Sequence, residues 1–154
     1  MHVYTLKRVQ SLPIDIETAW DFFSNPANLE KITPAWLNFK VRSELPPKMY
    51  AGLIVQYFVH PVAGVPVPWT TEITHVDEPC FFVDEQRLGP YKFWHHQHHF
   101  TPSDAGIVMT DIVHYSLPFG PVGRAFHPIY IKRKLEAIFD HRFNVLKQRF
   151  SDNA

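Results

Sequence analysis

A chain of 154 residues with 15 Lys+Arg against 15 Asp+Glu has no formal net charge, which argues against a dedicated nucleic-acid binder and its basic excess. An apolar fraction of 45%, with 13 Phe, 6 Tyr and 4 Trp, is ample for a packed core, and the length suits one domain over residues 1–154. One cysteine excludes an intrachain disulfide, no stretch approaches the ~20 apolar residues of a membrane span, and the first residues lack a signal-peptide core, so a soluble, cytoplasmic protein is expected.

His2 to Leu12 alternates as a strand does, and Pro13 ends it. Asp15 or Thr18 can cap a short helix in which Ile16, Ala19, Trp20 and Phe23 follow helical spacing. Asn25-Pro26 breaks that helix, and Pro26 suits the first turn of a second, from Ala27 to Ile32, closed by Thr33-Pro34. Trp36 to Leu45 reads as a second strand, stopped by Pro46-Pro47. Leu53 to Val59, rich in β-branched and aromatic residues, reads as a third.

Pro61 to Pro68 is a proline-rich loop, long enough to project and gate a cavity, and Trp69 after it is the candidate mouth residue. Trp69 to Val76 and Phe81 to Arg87 are the fourth and fifth strands. Between them Cys80, beside a proline and an aromatic pair, is expected to be a buried small apolar residue rather than a nucleophile.

Gly89-Pro90 opens a histidine-rich run, Tyr91 to Phe100, which reads as the sixth strand. Side chains alternate across a strand, so Trp94, His96, His98 and Phe100 share one face while His95 and His99 take the other. A turn at Ser103–Gly106 then fixes the register of the seventh strand, Ile107 to Leu117. Pro102 lies opposite Ile107, Phe100 opposite Met109, His98 opposite Asp111, His96 opposite Val113 and Trp94 opposite Tyr115. Opposed residues have Cβ atoms roughly 5 Å apart, close enough for Asp111 to orient the His98 ring and raise its pKa. From about Gly123 to about Phe150 the pattern is helical, bent at Pro128, with a stripe through Ile131, Leu135, Ile138, Phe139, Arg142 and Leu146.

One strand, two short helices, six strands and one long amphipathic helix make an α+β fold: a seven-stranded curved antiparallel sheet wrapped around the C-terminal helix. The space between sheet and helix is the natural binding site. This order resembles the START-like (SRPBCC) superfamily, the helix-grip fold of pollen-allergen-like proteins, over nearly the whole chain. Gly89, Pro90, Tyr91, Trp94, His96, His98 and Phe100, with Asp111, Val113, Tyr115, Leu117, Pro118, Phe119 and Gly120, resemble two motifs of its bacterial ligand-binding branch. The resemblance implies a cavity for an apolar or amphipathic small molecule such as a lipid, isoprenoid or polyketide. Some relatives are aromatases or cyclases, and others only bind and carry.

The expected ligand-binding set is Trp69, Asp84, Gln86, Trp94, His96, His98, Asp111, Tyr115, Phe139 and Arg142. Arg142 is the one charge within the apolar stripe and needs an acceptor, for which Asp84 and Asp111 are the carboxylates available. Binding is preferred to catalysis, because neither Ser103 nor Ser116 is placed as a nucleophile. An acid–base enzyme would use His96, His98 or Tyr115. His-x-His plus Asp111 could supply three metal ligands, but a structural polar network is the simpler reading, so no metal or cofactor is expected. A third possibility is an interaction module whose cavity is filled by its own aromatic side chains. The oligomeric state is not readable.

Overall fold

The computed structural model describes residues 2–61 and 64–151. The strands are β1 (Tyr4–Leu12), β2 (Lys40–Val41), β3 (Ile54–Val59), β4 (Val67–Asp77), β5 (Phe81–Leu88), β6 (Phe93–Ser103) and β7 (Gly106–Ser116). They form one antiparallel sheet in the order β1-β7-β6-β5-β4-β3-β2. Helix α1 (Ile16–Phe23) and a 3₁₀ helix (Pro26–Ile32) connect β1 to the far edge, and α2 (Gly120–Phe126) and α3 (Lys132–Ser151) complete the chain. This is the helix-grip arrangement.

Local chemistry sets these boundaries. The Asp15 carboxylate accepts from the Thr18 amide at 2.7 Å and starts α1, and Asn25 does the same for Ala27 at 3.0 Å ahead of the 3₁₀ helix. β6 and β7 pair in the register set by their turn: Pro102 opposite Ile107, His98 opposite Asp111, Trp94 opposite Tyr115. The turn itself is tighter than expected, with Ser103 and Gly106 already paired. Gly106 has φ +130°, and a side chain there would run into the backbone of Leu12. Two register shifts between β4 and β5, at Thr70/Thr71 and Ile73/His75, bend the sheet and make one face concave.

Three expectations need correction. The strand predicted over Trp36–Leu45 shrinks to Lys40–Val41, because Ala35–Leu37 coils into a single 3₁₀ turn closed by Asn38 in the left-handed region (φ 44°). Cys80 is exposed, not buried: it ends the tight turn after Asp77, donating its amide to the Asp77 carbonyl at 2.7 Å. The C-terminal helix begins earlier, at Gly120, and Pro128 is absorbed in a wide π-type turn, His127–Ile131. Pro128 lacks the N–H that an α-helix needs at that point, and the wider turn tolerates the gap. Of the expected loop Pro61–Pro68, residues 62 and 63 lie outside the described residues, and Val67 and Pro68 belong to β4.

The concave face carries two apolar clusters. One joins Trp20, Phe82, Phe100, Met109, Leu146 and Phe150, and the other joins Leu6, Trp94, Val113, Tyr115, Leu135 and Phe139. Along β6, β7 and α3 the chain passes from one cluster to the other through a polar step: His96 and His98, Asp111, and Arg142. Each of these is buried. Among the described residues no helix is long and apolar enough to cross a membrane.

Candidate functional site

A cavity of about 520 Å³ lies between the concave face of the sheet, the 3₁₀ helix and the C-terminal helices. Its walls are mostly aromatic and aliphatic: Phe23, Tyr57, Trp69, Phe82, Trp94 and Phe139 all line it. The aromatic residues therefore frame a space rather than fill it, and its size is in the range of small-molecule sites. Trp69 lines the wall and is half-buried. Its ring packs on Trp94 and Tyr57 at centroid distances of 5.3 and 6.0 Å, and its Nε1 donates to Thr71 Oγ1 at 3.1 Å. The exposed lining residues are Asn25 and the apolar Trp36, Phe119 and Val122.

The polar wall is a four-residue cluster on three adjacent strands. Asp84 on β5 sits across from His96 on β6, and His98 on β6 sits across from Asp111 on β7. The shortest bonds nevertheless run diagonally: His96 Nε2 to Asp111 Oδ1 is 2.8 Å, and His98 Nε2 to Asp84 Oδ2 is 2.7 Å. The directly opposed pair is also in contact, with His98 Nδ1 3.1 Å from Asp111 Oδ1. The His96 and His98 rings lie 3.7 Å apart between centroids, and Phe82 stacks on His98 at 4.1 Å. The expected His98–Asp111 dyad is thus one edge of a closed set in which each imidazole touches both carboxylates.

The electrostatics separate the two imidazoles. Burial and the neighbouring His98 charge lower the His96 pKa, so His96 is neutral near pH 7. Burial also opposes charging His98, but its hydrogen bonds to Asp111 and Asp84 outweigh that and raise its pKa. Burial opposes ionising the carboxylates too; Asp84 and Asp111 are nonetheless held below the usual carboxylate range by the charges and hydrogen bonds of the two histidines. A neutral His96 that donates through Nε2 to Asp111 turns an unprotonated Nδ1 toward Asp84 Oδ2, 3.5 Å away. A neutral and a charged imidazole therefore stand side by side at the cavity wall. Asp84, His96 and His98 each have a ligand atom within 4.8 Å of the others, spacing that could hold a metal ion. The short His98–Asp84 contact is equally satisfied by the proton that the raised His98 pKa places there.

These shifts fix a pH dependence. His98, with its folded pKa raised, contributes stability that is full below its unfolded value of about 6.5 and is lost as pH rises through the folded value. His96, with its folded pKa lowered, favours the neutral ring, and its contribution is lost as pH falls below about 6.5. The carboxylate contributions are present above about pH 4 and are lost as pH falls through their depressed folded values. The urea midpoint should therefore be highest near pH 6.5, decline on both sides, and fall steeply below pH ~4. A midpoint still rising from pH ~6.5 to ~8.5 would contradict the assigned protonation states.

Of the residues predicted for the site, Trp69, Asp84, Trp94, His96, His98, Phe139 and Arg142 line the cavity, whereas Gln86, Asp111 and Tyr115 do not. Asp111 lies behind the imidazoles and orients them. Gln86 holds the turn before β6, bonding the Tyr91 carbonyl at 2.7 Å and the Tyr91 amide at 3.1 Å. Tyr115 packs among Tyr4, Tyr91 and Trp94 in the second apolar cluster. Arg142 meets neither Asp84 nor Asp111. Its guanidinium carbon sits 4.9 Å from the Phe139 ring centroid, and its Nε has no hydrogen-bond partner among the described residues. Sequence reasoning missed Tyr57 and Thr71, which line the cavity from β3 and β4 of the same sheet and whose hydroxyls bond at 2.7 Å. The β-strand alternation of Tyr57 with Val55 and Val59 was the available signal.

No family model matches the sequence, and no curated protein does. Solved structures match over the full fold. A protein of Thermus thermophilus is 15% identical with a TM-score of 0.71, covering 99% of both chains. A protein of Mycobacterium smegmatis is 19% identical with a TM-score of 0.65, covering 94% of this chain and 92% of its own. The di-domain ARO/CYC StfQ of the steffimycin biosynthetic pathway is 11% identical with a TM-score of 0.71, covering 98% of this chain and 52% of its own. The fold is that of the START-like (SRPBCC) helix-grip proteins.

Proposed function

We propose that the chain acts as one START-like domain that binds an apolar or amphipathic small molecule, of lipid, isoprenoid or polyketide type, in the cavity under α3. The observation that carries this reading is the cavity itself: about 520 Å³ of open space with mostly aromatic and aliphatic walls, into which Asp84, His96 and His98 on the sheet and Arg142 on α3 bring polar groups. An aromatic or polyene body gains from those walls through burial, and the polar belt supplies orientation. The likeness of the fold to a di-domain ARO/CYC supports a site of this kind. The zero net charge supports a small-molecule partner over nucleic acid.

The test is a titration with phenylnaphthylamine, a neutral fluorescent fused-ring probe, followed by energy transfer from Trp69 and Trp94 in the wall. Saturable one-to-one binding is expected. Absence of saturable binding would contradict the reading.

A second reading, a proton-transferring enzyme of the aromatase/cyclase type, is favoured by one observation: neutral His96 and protonated His98 lie 3.7 Å apart between centroids and both face the cavity. On this reading the His96–His98–Asp84 cluster exchanges protons with the substrate once the substrate displaces the contacts of an imidazole to Asp84. Turnover would then follow a bell-shaped pH profile that is lost in His96→Gln, whereas a carrier shows no turnover.

A further inference from the structure

We infer that the cavity's ligand carries an anionic head, and that the buried guanidinium of Arg142 receives it. This rests on the proposed binding function and adds the ligand's charge and its anchor.

Arg142 is 9% exposed, lies on the cavity side of α3, and has no hydrogen-bonded or ion-paired partner among the described residues. Its guanidinium sits over the face of Phe139, which offers a cation only part of what water or a carboxylate would. A buried lysine could shed its proton, but a guanidinium stays charged, so the cost of leaving it unpaired persists. The nearby carboxylates are already engaged. Asp84 accepts from His98 at 2.7 Å, and Asp111 accepts from His96 at 2.8 Å behind the imidazoles, outside the cavity lining. Arg142 lowers the pKa of Asp84 and opposes the rise at Tyr57, so its charge reaches across the cavity, but it bonds to neither. The Tyr57 hydroxyl is occupied by Thr71 at 2.7 Å.

The group that would satisfy the guanidinium is an oxyanion in its fork, and an apolar cavity can admit one only as part of the ligand. A carboxylate fits best, since two parallel N–H···O bonds match the planar fork. The ligand class is therefore an apolar or aromatic body with a carboxylate or similar oxyanion head. The head lies against α3, and the body runs along Phe82, Trp94 and Trp69.

Two probes with nearly the same fused-ring body separate the terms: anilinonaphthalene sulfonate, an anion, and phenylnaphthylamine, which lacks the sulfonate. Both are titrated into the wild type, Arg142→Lys and Arg142→Met, with energy transfer from the wall tryptophans as the readout. The wild type is expected to bind the sulfonate more tightly than the neutral probe. Arg142→Met should weaken sulfonate binding by about 10- to 100-fold more than it changes binding of the neutral probe, whose continued saturable binding reports an intact cavity. Arg142→Lys should recover part of the loss. Equal affinity of the two probes for the wild type, a result that needs no variant to fold, would overturn the anionic head while leaving the binding function standing. So would equal weakening of both probes in Arg142→Met. Failure of both probes to bind the wild type would remove the binding function and the anion site together.

Discussion

Replacing Asp111 by alanine is expected to cost about 3–5 kcal/mol of folding stability, the range for breaking a buried charged pair by removing one partner. Asp111 is 2% exposed, accepts from His96 Nε2 at 2.8 Å and lies 3.1 Å from His98 Nδ1. Without it His96 loses its 2.8 Å hydrogen bond, and His98 loses one of the two carboxylates that keep it protonated. Urea unfolding measures the loss directly, and a drop on the order of 10 °C in the melting midpoint corresponds to it for a chain of this size. The variant should also show a lower His98 pKa by NMR. A stability loss below about 1 kcal/mol, the range of exposed ion pairs, would contradict the closed four-residue cluster.

The second large effect is expected at Phe82. It is 4% exposed, its ring stacks on His98 at 4.1 Å with 17° between the planes, and it meets Trp20 edge-on at 5.9 Å. Phe82 thus joins the first apolar cluster to the polar belt and forms part of the cavity wall. Phe82→Ala should cost about 3–5 kcal/mol, as truncation of a buried aromatic side chain does. The vacated space opens onto the cavity, so the variant should also accept a bulkier body than the wild type does. Denaturant titration and competition against phenylnaphthylamine check the two halves. A variant as stable as the wild type would mean that the wall is not packed as described.

How much of this was readable from the residues follows from what each feature depends on. The β6–β7 register depends on a turn and on alternation, both written in Ser103–Gly106 and in the spacing of Trp94, His96, His98 and Phe100, and every predicted cross-strand pair is present. Burial of Arg142 depends on helical phase and was equally readable. Which histidine bonds which carboxylate depends on side-chain torsions. Asp111 is within reach of both rings, so the diagonal His96 bond could not be chosen in advance. The unpaired state of Arg142 depends in turn on that choice, since it follows from Asp84 and Asp111 being taken. Gln86 has the predicted strand position, but the Gly89-Pro90 turn brings the Tyr91 backbone within its reach and draws its amide away from the cavity. Trp36–Leu45 has strand-like composition, yet a left-handed Asn38 turns it aside, and no alternation pattern records that.

The central claim is that the cavity under α3 holds a small molecule. Native mass spectrometry of the freshly purified full chain, with solvent extraction and analysis of anything released, tests it most directly. The account predicts a reproducible one-to-one adduct whose released compound has an apolar or aromatic body and an acidic head. A bare mass that stays bare when phenylnaphthylamine and anilinonaphthalene sulfonate are offered would contradict it.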